Sequence, residues 1–257
     1  MITRRSQLVW LTLALLFVPA AAAAPAQDRV EQFKQLAADL VGRRHAGAEE
    51  AEAEQARAME LLDAVVLDLL NGTTPATLES MNRSLELLRP SPPFVGQEYR
   101  LLQTGRPDSP WYVLAANFGL AGPSAVRIYA RSSELTGGYR LAARIDRFGQ
   151  PEYFDEFLEV VQVAPADGVF VTVTGRTDEH ETGGFIAWRF DGARLLRLWS
   201  TDLLERSRYE VVRGEFRLTY CEETDDDDPS KCARTLRERH AWRAGEWHLL
   251  ERREEKP

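Results

Sequence analysis

From Trp111 to the C-terminus the chain is written in short runs rich in Val, Ile, Phe, Tyr and Trp, punctuated by Gly, Asp, Asn and Ser. This grammar constrains the fold more than any other feature of the sequence. Runs of this length and composition read as strands, and the punctuation reads as turns. Eleven strands are expected, near 111–118, 125–131, 138–145, 157–163, 168–174, 184–190, 193–200, 208–213, 215–221, 233–243 and 246–252. Little helical periodicity lies between them, so neighbours join through hairpins and pair antiparallel.

Two hairpins can be read in register. In "FIAWRFDGARLLRLW" the Asp191-Gly192 pair is a strong two-residue turn signal, which would set Phe190 opposite Ala193 and Trp188 opposite Leu195. In "RERHAWRAGEWHLLERR" a turn at Ala244-Gly245 sets Arg243 opposite Glu246 and Trp242 opposite Trp247. The same register puts His240 and His248 on opposite faces of the sheet, so they cannot share a metal ion.

A loose repeat runs through this region. "VRIYARSSELTGGYRLAARI", "FIAWRFDGARLLRLWS" and "ERHAWRAGEWHLLERR" each pass from an aromatic and a basic residue through a glycine-containing turn to further aromatics or leucines, at intervals near 55 residues. Repeats of this period point to propeller-like blades. Eleven strands make fewer than three blades of four, whereas closed propellers have about four to eight blades. The expectation is therefore an antiparallel β-meander arranged as a sandwich, an open barrel or a propeller-like body.

Upstream the pattern is helical. Val30, Phe33, Leu36, Leu40 and Val41 recur at helical spacing, as do Met59, Leu62, Val65, Val66, Leu69 and Leu70. Gly42 and Gly47 mark a turn between two helices, with one long bent helix as the alternative. Asn71-Gly72 suits a helix C-terminus, and Thr74 with Pro75 suits the start of a third helix carrying Leu78, Met81, Leu85 and Leu88. Amphipathic stripes of this kind bury their apolar face. The fold class expected is α+β, mainly β, with a helical segment over 27–90, a Pro-rich linker over 91–110 and an antiparallel β domain over 111–257.

Residues 1–26 read as a secretory signal peptide: Arg4 and Arg5, an apolar run from Leu8 to Val18, then Pro19, an alanine tract and the A-x-A triplet Ala24-Pro25-Ala26. The alternative, a retained anchor, needs roughly 20 apolar residues, and this run is shorter. Cleavage after Ala26 removes two arginines and no acids, taking the formal charge from −8 to −10. A mature chain this acidic disfavours nucleic acid and anionic lipid as partners. The expected location is the periplasm or the cell exterior, without membrane insertion of the mature chain.

Export decides how to read the two cysteines, Cys221 and Cys232. In an oxidising compartment a lone pair becomes a disulfide. Between them lie Glu222, Glu223 and Asp225 to Asp228. Calcium needs about six to eight converging oxygens. In an extended chain alternate side chains point to opposite faces, which leaves Glu223, Asp225 and Asp227 as the candidate ligands on one side. No glycine supplies the tight bend of an EF-hand loop, so a solvated acidic tip closed by the disulfide is the expectation, with weak calcium binding as the alternative.

Other chemistries lack their motifs. No serine stands in G-x-S-x-G, no glycine-rich phosphate loop follows a strand, and "TDEHETGG" lacks the H-E-x-x-H spacing. "QPEYFDEFLEVV" offers Glu152, Asp155, Glu156 and Glu159 beside aromatics, the composition of a glycosidase site without its spacing. No cofactor is called for. The reading is an exported, non-catalytic binding or assembly module with a protein or glycan partner, and the rival is a secreted, glycan-directed hydrolase whose acids converge only in the fold.

Overall fold

The computed structural model describes residues 26–42, 48–73, 76–90, 97–118, 124–132, 137–147, 156–176, 182–225, 228 and 231–255. The stretch read as a signal peptide, up to Pro25, and the 178–181 cluster, Glu152, Asp155 and Asp227 lie outside them. Three helices come first, α1 (Ala26–Gly42), α2 (Ala48–Asn71) and α3 (Leu78–Glu86). Twelve strands follow: β1 (Gln97–Arg106), β2 (Ser109–Phe118), β3 (Ser124–Arg131), β4 (Tyr139–Arg147), β5 (Glu156–Ala164), β6 (Val169–Arg176), β7 (Thr182–Phe190), β8 (Leu195–Ser200), β9 (Glu205–Val212), β10 (Glu215–Thr224), β11 (Cys232–Arg243) and β12 (Glu246–Glu255). The α+β, mainly β class holds.

The strands form three consecutive four-stranded antiparallel meanders, β1–β4, β5–β8 and β9–β12. The three repeat stretches are the last hairpins of these sheets, β3–β4, β7–β8 and β11–β12. The repeat is thus structural, one hairpin per sheet. The twelfth strand is β1, which occupies the stretch read as linker. Its apolar content is modest, and it is held by contacts rather than propensity: Tyr99 and Leu101 point into the core while Glu98 and Arg100 point away.

Sheets and helices stack in four layers, defined by alternation along the strands. Phe33, Met59, Leu62, Met81 and Leu85 of the helices pack on Tyr99, Leu101, Leu114, Phe118 and Tyr129, one face of the first sheet. Its other face, with Val113, Ala115, Val126 and Ile128, packs on Leu158, Val160, Phe170 and Phe190 of the second sheet. The far side of the second sheet, with Val171, Val173, Phe185 and Ala187, packs on Phe216, Leu218, Tyr220 and Leu236 of the third. Gly168 (φ +71°) sits at a pinch between the first two sheets, where an added Cβ would lie 2.2 Å from the Phe190 carbonyl and 2.5 Å from the Trp111 ring.

Edge strands expose unpaired backbone groups that must find partners. Here asparagines meet them. The Asn71 carboxamide donates to the Tyr139 carbonyl (3.0 Å) and accepts from its N–H (2.6 Å) on edge strand β4. Asn82 does the same to Leu101 on edge strand β1, at 2.9 and 2.7 Å. Asn117 does it to Leu158 on edge strand β5, at 2.7 and 3.0 Å, joining the first sheet to the second. A buried charge cluster adds to the helix–sheet contact. Arg127 pairs with Asp63 of α2 (3.2 Å) and with Asp146 (2.5 Å), and the Tyr129 hydroxyl donates to Asp63 (2.6 Å). Burial raises the Asp63 carboxyl above its usual range against the pull of Tyr129 and Arg127.

Two expectations are corrected. Thr77, not Thr74, caps α3, its hydroxyl accepting from the Ser80 N–H at 3.1 Å. The β7–β8 turn spans four residues, so Phe190 faces Leu195 and Trp188 faces Arg197. The cause is the Asp191 carboxylate, which accepts from the N–H groups of Ala193 (2.9 Å) and Arg194 (2.8 Å) and widens the loop. Those bonds also lower the Asp191 carboxyl. The β11–β12 register is as expected, with Arg243 opposite Glu246 and Trp242 opposite Trp247. Ala244 (φ +50°) and Gly245 (φ +85°) make its two-residue turn, the left-handed pair that matches strand twist.

Candidate functional site: the cleft between α3, β1 and β5

Strand β5 crosses β2 and β3 and leaves the Glu98 and Arg100 end of β1 uncovered. The result is a cleft of about 620 Å³ bounded by the end of α3, the β1–β2 hairpin and the edge of β5. Ala115 and Leu102 contribute apolar lining from the first sheet, while Phe157, at the β5 edge, turns its ring into the core between the second and third sheets. The polar lining carries both signs: Glu86, Glu98 and Glu159 against Arg89 and Arg100. The volume is in the range of small-ligand sites, about 300–1,000 Å³.

Several of these groups are positioned by others. The Tyr209 hydroxyl of β9 donates to the Glu159 carboxylate in a short bond. Burial and this carboxylate raise the Tyr209 phenol far above its usual range. Arg89 reaches the Gln97 carbonyl at 3.3 Å. Gln97, 3 % exposed, donates its amide to the Tyr99 hydroxyl at 2.7 Å while its Oε1 has no hydrogen-bond partner. Side chains bond part of the free backbone edges: Asn82 takes Leu101, Asn117 takes Leu158, and the Gln162 amide takes the Gln103 carbonyl at 2.6 Å.

Of the acids in "QPEYFDEFLEVV", Glu159 lines this cleft and Glu156 opens β5. Glu98, Arg100 and Gln97 stand in the stretch expected to be a linker, and the signal that could have found them is the alternation of charged and apolar residues along "QEYRLLQ".

The acidic loop is built differently. Cys221 and Cys232 are disulfide-bonded, with Cα atoms 5.7 Å apart. Glu223 pairs with Arg234 (2.8 Å), and Glu222 pairs with Arg234 (2.6 Å) and Arg252 (2.8 Å). Asp225 accepts from the Asp228 N–H (3.2 Å), a local turn contact. Among the described residues no group of three or more His, Cys, Asp or Glu side chains is placed to hold a metal ion.

The histidines have structural partners. His240, 2 % exposed, stacks against Trp247 (5.7 Å) and lies against Trp199 of the second sheet (4.5 Å), with Nε2 at 2.9 Å from Glu238. The hydrogen bond from His240 is the main cause of a lowered Glu238 carboxyl, which the Tyr220 hydroxyl and Arg252 also favour. His248 faces the opposite side, 3.2 Å from the Arg243 carbonyl. That outer face of the third sheet is a lattice of ion pairs, with Arg239 forked between Glu215 (2.8 Å) and Glu251 (3.0 Å).

Among the described residues no helix is long and apolar enough to cross a membrane. Comparison with protein families, with curated proteins and with solved structures found no match for this chain.

Proposed function

We propose that this chain is an exported, non-catalytic binding or assembly module of the periplasm or cell exterior, and that it takes its ligand in the cleft between α3, β1 and β5. The observation that carries the reading is the cleft itself: a concave surface at the junction of three elements, with carboxylates and guanidinium groups on a sheet face that is otherwise apolar and buried. The disulfide and the leader sequence support export. A glycan-directed hydrolase is the second reading, favoured by Glu86, Glu98 and Glu159 lining one cleft. The test is a melting-temperature screen of glycans and peptides against the wild type and Glu98→Lys. A ligand that raises the wild-type melting temperature, loses that effect in the variant and is recovered unchanged supports the module. Recovery of a cleaved ligand transfers the protein to the hydrolase reading. Hits that ignore the substitution overturn the site.

A further inference from the structure

We propose that the outward face of the third sheet is a second binding site, where Arg217, Arg237 and Arg253 hold a phosphate group, free or as a monoester. The site is independent of the cleft and lies on the side of the third sheet turned away from the second. Phe216, Leu218, Tyr220 and Leu236 point inward, so alternation sends Arg217, Thr219, Arg237 and Arg239 outward.

Strand register sorts these outward residues into rows that cross all four strands. From β9 to β12 one row reads Arg208, Thr219, Arg237, Arg253, and its neighbour reads Glu210, Arg217, Arg239, Glu251. The first row holds no acid, and in the second the acids stand on the edge strands. Arginine therefore meets arginine directly across the ladder, Arg217 opposite Arg239 and Arg237 opposite Arg253. Like charges placed so destabilise a sheet. In a chain of 40 acids and 32 bases, a basic composition does not account for the grouping.

The ion pairs leave a positive surplus. Glu210 is shared by Arg217 (3.3 Å) and Arg237 (3.8 Å), and Glu251 by Arg239 (3.0 Å) and Arg253. Glu215 is shared by Arg239 (2.8 Å), Arg243 (3.2 Å) and Arg217 (3.7 Å). Three carboxylates thus serve five guanidiniums, which leaves two positive charges over. The hydrogen bond from Arg239, with the other arginines around it, holds the Glu215 carboxyl below its usual range. A phosphate group carries a charge of about −1.5 to −2 at neutral pH and matches this surplus, whereas a carboxylate matches half of it.

The shape of the face agrees. Arg217, Arg237, Arg239 and Arg253 line a depression of about 670 Å³. Its acids, Glu251, Glu254 and Glu255, all come from edge strand β12, so the part built by β10 and β11 is arginine alone. Glu251 is already engaged, Glu254 is rooted opposite the inward Leu236, and Glu255 stands opposite Thr235, one row beyond. Guanidiniums arriving from three strands need an acceptor with oxygens in several directions. Phosphate offers three, whereas one guanidinium fork satisfies both oxygens of a carboxylate. The acids on the rim and the negative net charge of the chain set the site against nucleic acid and anionic membranes, and in favour of a compact anion.

The experiment is calorimetric titration of the purified protein, at constant ionic strength, with inorganic phosphate and with glucose 6-phosphate, and with sulfate, acetate and spermine as competing chemistries. Phosphate or its monoester is expected to bind one to one at millimolar concentration or below. Tighter binding of the monoester would place the group on a larger molecule, tighter binding of inorganic phosphate would make it the free ion, and either order upholds the site. Arg237→Gln and Arg253→Gln, both at exposed positions, are each expected to weaken binding about tenfold or more without changing the melting temperature of the unliganded protein. Should Arg237→Gln lower that temperature, Arg253→Gln carries the test. Arg100→Gln, in the cleft, is expected to leave the affinity unchanged. Sensitivity to Arg100→Gln with indifference to Arg237→Gln and Arg253→Gln moves the anion to the cleft and overturns this site. Binding of sulfate, acetate or spermine without phosphate or its monoester overturns the ligand class. Absence of binding by phosphate and its monoester overturns the proposal and leaves the cleft reading untouched.

Discussion

Asn71, Asn82 and Asn117 perform one act of recognition three times, each carboxamide bonding the N–H and C=O of a single edge-strand residue, and they differ in exposure. The Asn71 pair is exposed, the Asn82 pair partly buried and the Asn117 pair buried. Replacement by alanine should therefore cost more at each step, although the same two bonds are lost. Where water replaces the amide, only the net value of the bonds disappears, about 1 kcal/mol for Asn71→Ala. Where it cannot, each stranded backbone group costs about 1–3 kcal/mol, giving about 3–4 kcal/mol for Asn117→Ala and about 2 for Asn82→Ala. Urea unfolding followed by tryptophan fluorescence measures the series as changes in midpoint at constant slope.

Asn117→Asp sharpens the test. Its carboxylate still accepts from the Leu158 N–H but sets a second oxygen against the Leu158 carbonyl. Burial and that carbonyl raise its folded pKa above the unfolded value near 3.9. Below the folded pKa the protonated acid donates to the carbonyl and restores the pair, so the stability it contributes is present at low pH and lost as pH rises. The Asp variant should approach wild type near pH 4 and fall away by pH 7. Equal costs for the three alanine variants, or an Asp variant whose deficit does not change with pH, would refute the reasoning.

Other consequences can be checked with the same protein. Reduction of Cys221–Cys232, or Cys232→Ser, should cost about 3 kcal/mol, the loop-closure entropy for a separation of 11 residues, read as a difference in urea midpoint with and without reductant. Glu238 has a lowered folded pKa, so its stabilisation is complete above the unfolded value near 4.3 and is lost as pH falls through the folded value. Between pH 5 and pH 3, Glu238→Gln should therefore lose less stability than wild type, and an equal loss would show that the Glu238 carboxylate does not carry the effect. Millimolar calcium should leave the melting temperature unchanged, because Glu223 is engaged by Arg234 and Asp225 by a turn contact. A rise that magnesium does not reproduce would assign the cation to Glu223, Asp225 and Asp227.

Much of the fold was legible because period-2 patterning and turn chemistry are local. Ala244-Gly245 set its hairpin register from two residues, and Trp242 and Trp247 meet as expected. Asp191-Gly192 misled because the turn depends on where the Asp191 carboxylate goes, and it accepts two bonds that a dipeptide rule ignores. β1 was hidden for a different reason. It is an edge strand, stabilised by Asn82 and by α3 rather than by β-branched residues, and that support comes from distant parts of the chain. The candidate site shared its fate: Glu98, Arg100 and Gln97 stand on β1, and Glu159 joins them only because the second sheet lies across the first.

Layer position can be read from how strictly each strand alternates. β6, in the middle sheet, is buried along both faces, with Phe170 toward the first sheet and Val169, Val171 and Val173 toward the third. Thr172 is a buried polar residue within it, and the Trp188 indole donates to its hydroxyl at 2.9 Å. β10, in the outermost sheet, alternates instead, with Phe216, Leu218 and Tyr220 inward and Arg217 outward among ion pairs. The outer face of that sheet carries ion pairs where the inner faces of the stack carry apolar side chains. The same logic singles out the cleft. On the face of the first sheet that meets the second, Val113, Ala115, Val126 and Ile128 are buried, and the pattern breaks at Glu98 and Arg100. Charge on a core-facing row costs stability unless the row is left uncovered. β5 leaves the Glu98 and Arg100 end of that row uncovered by crossing mainly β2 and β3, and the opening so created is the cleft in which the proposed ligand would sit.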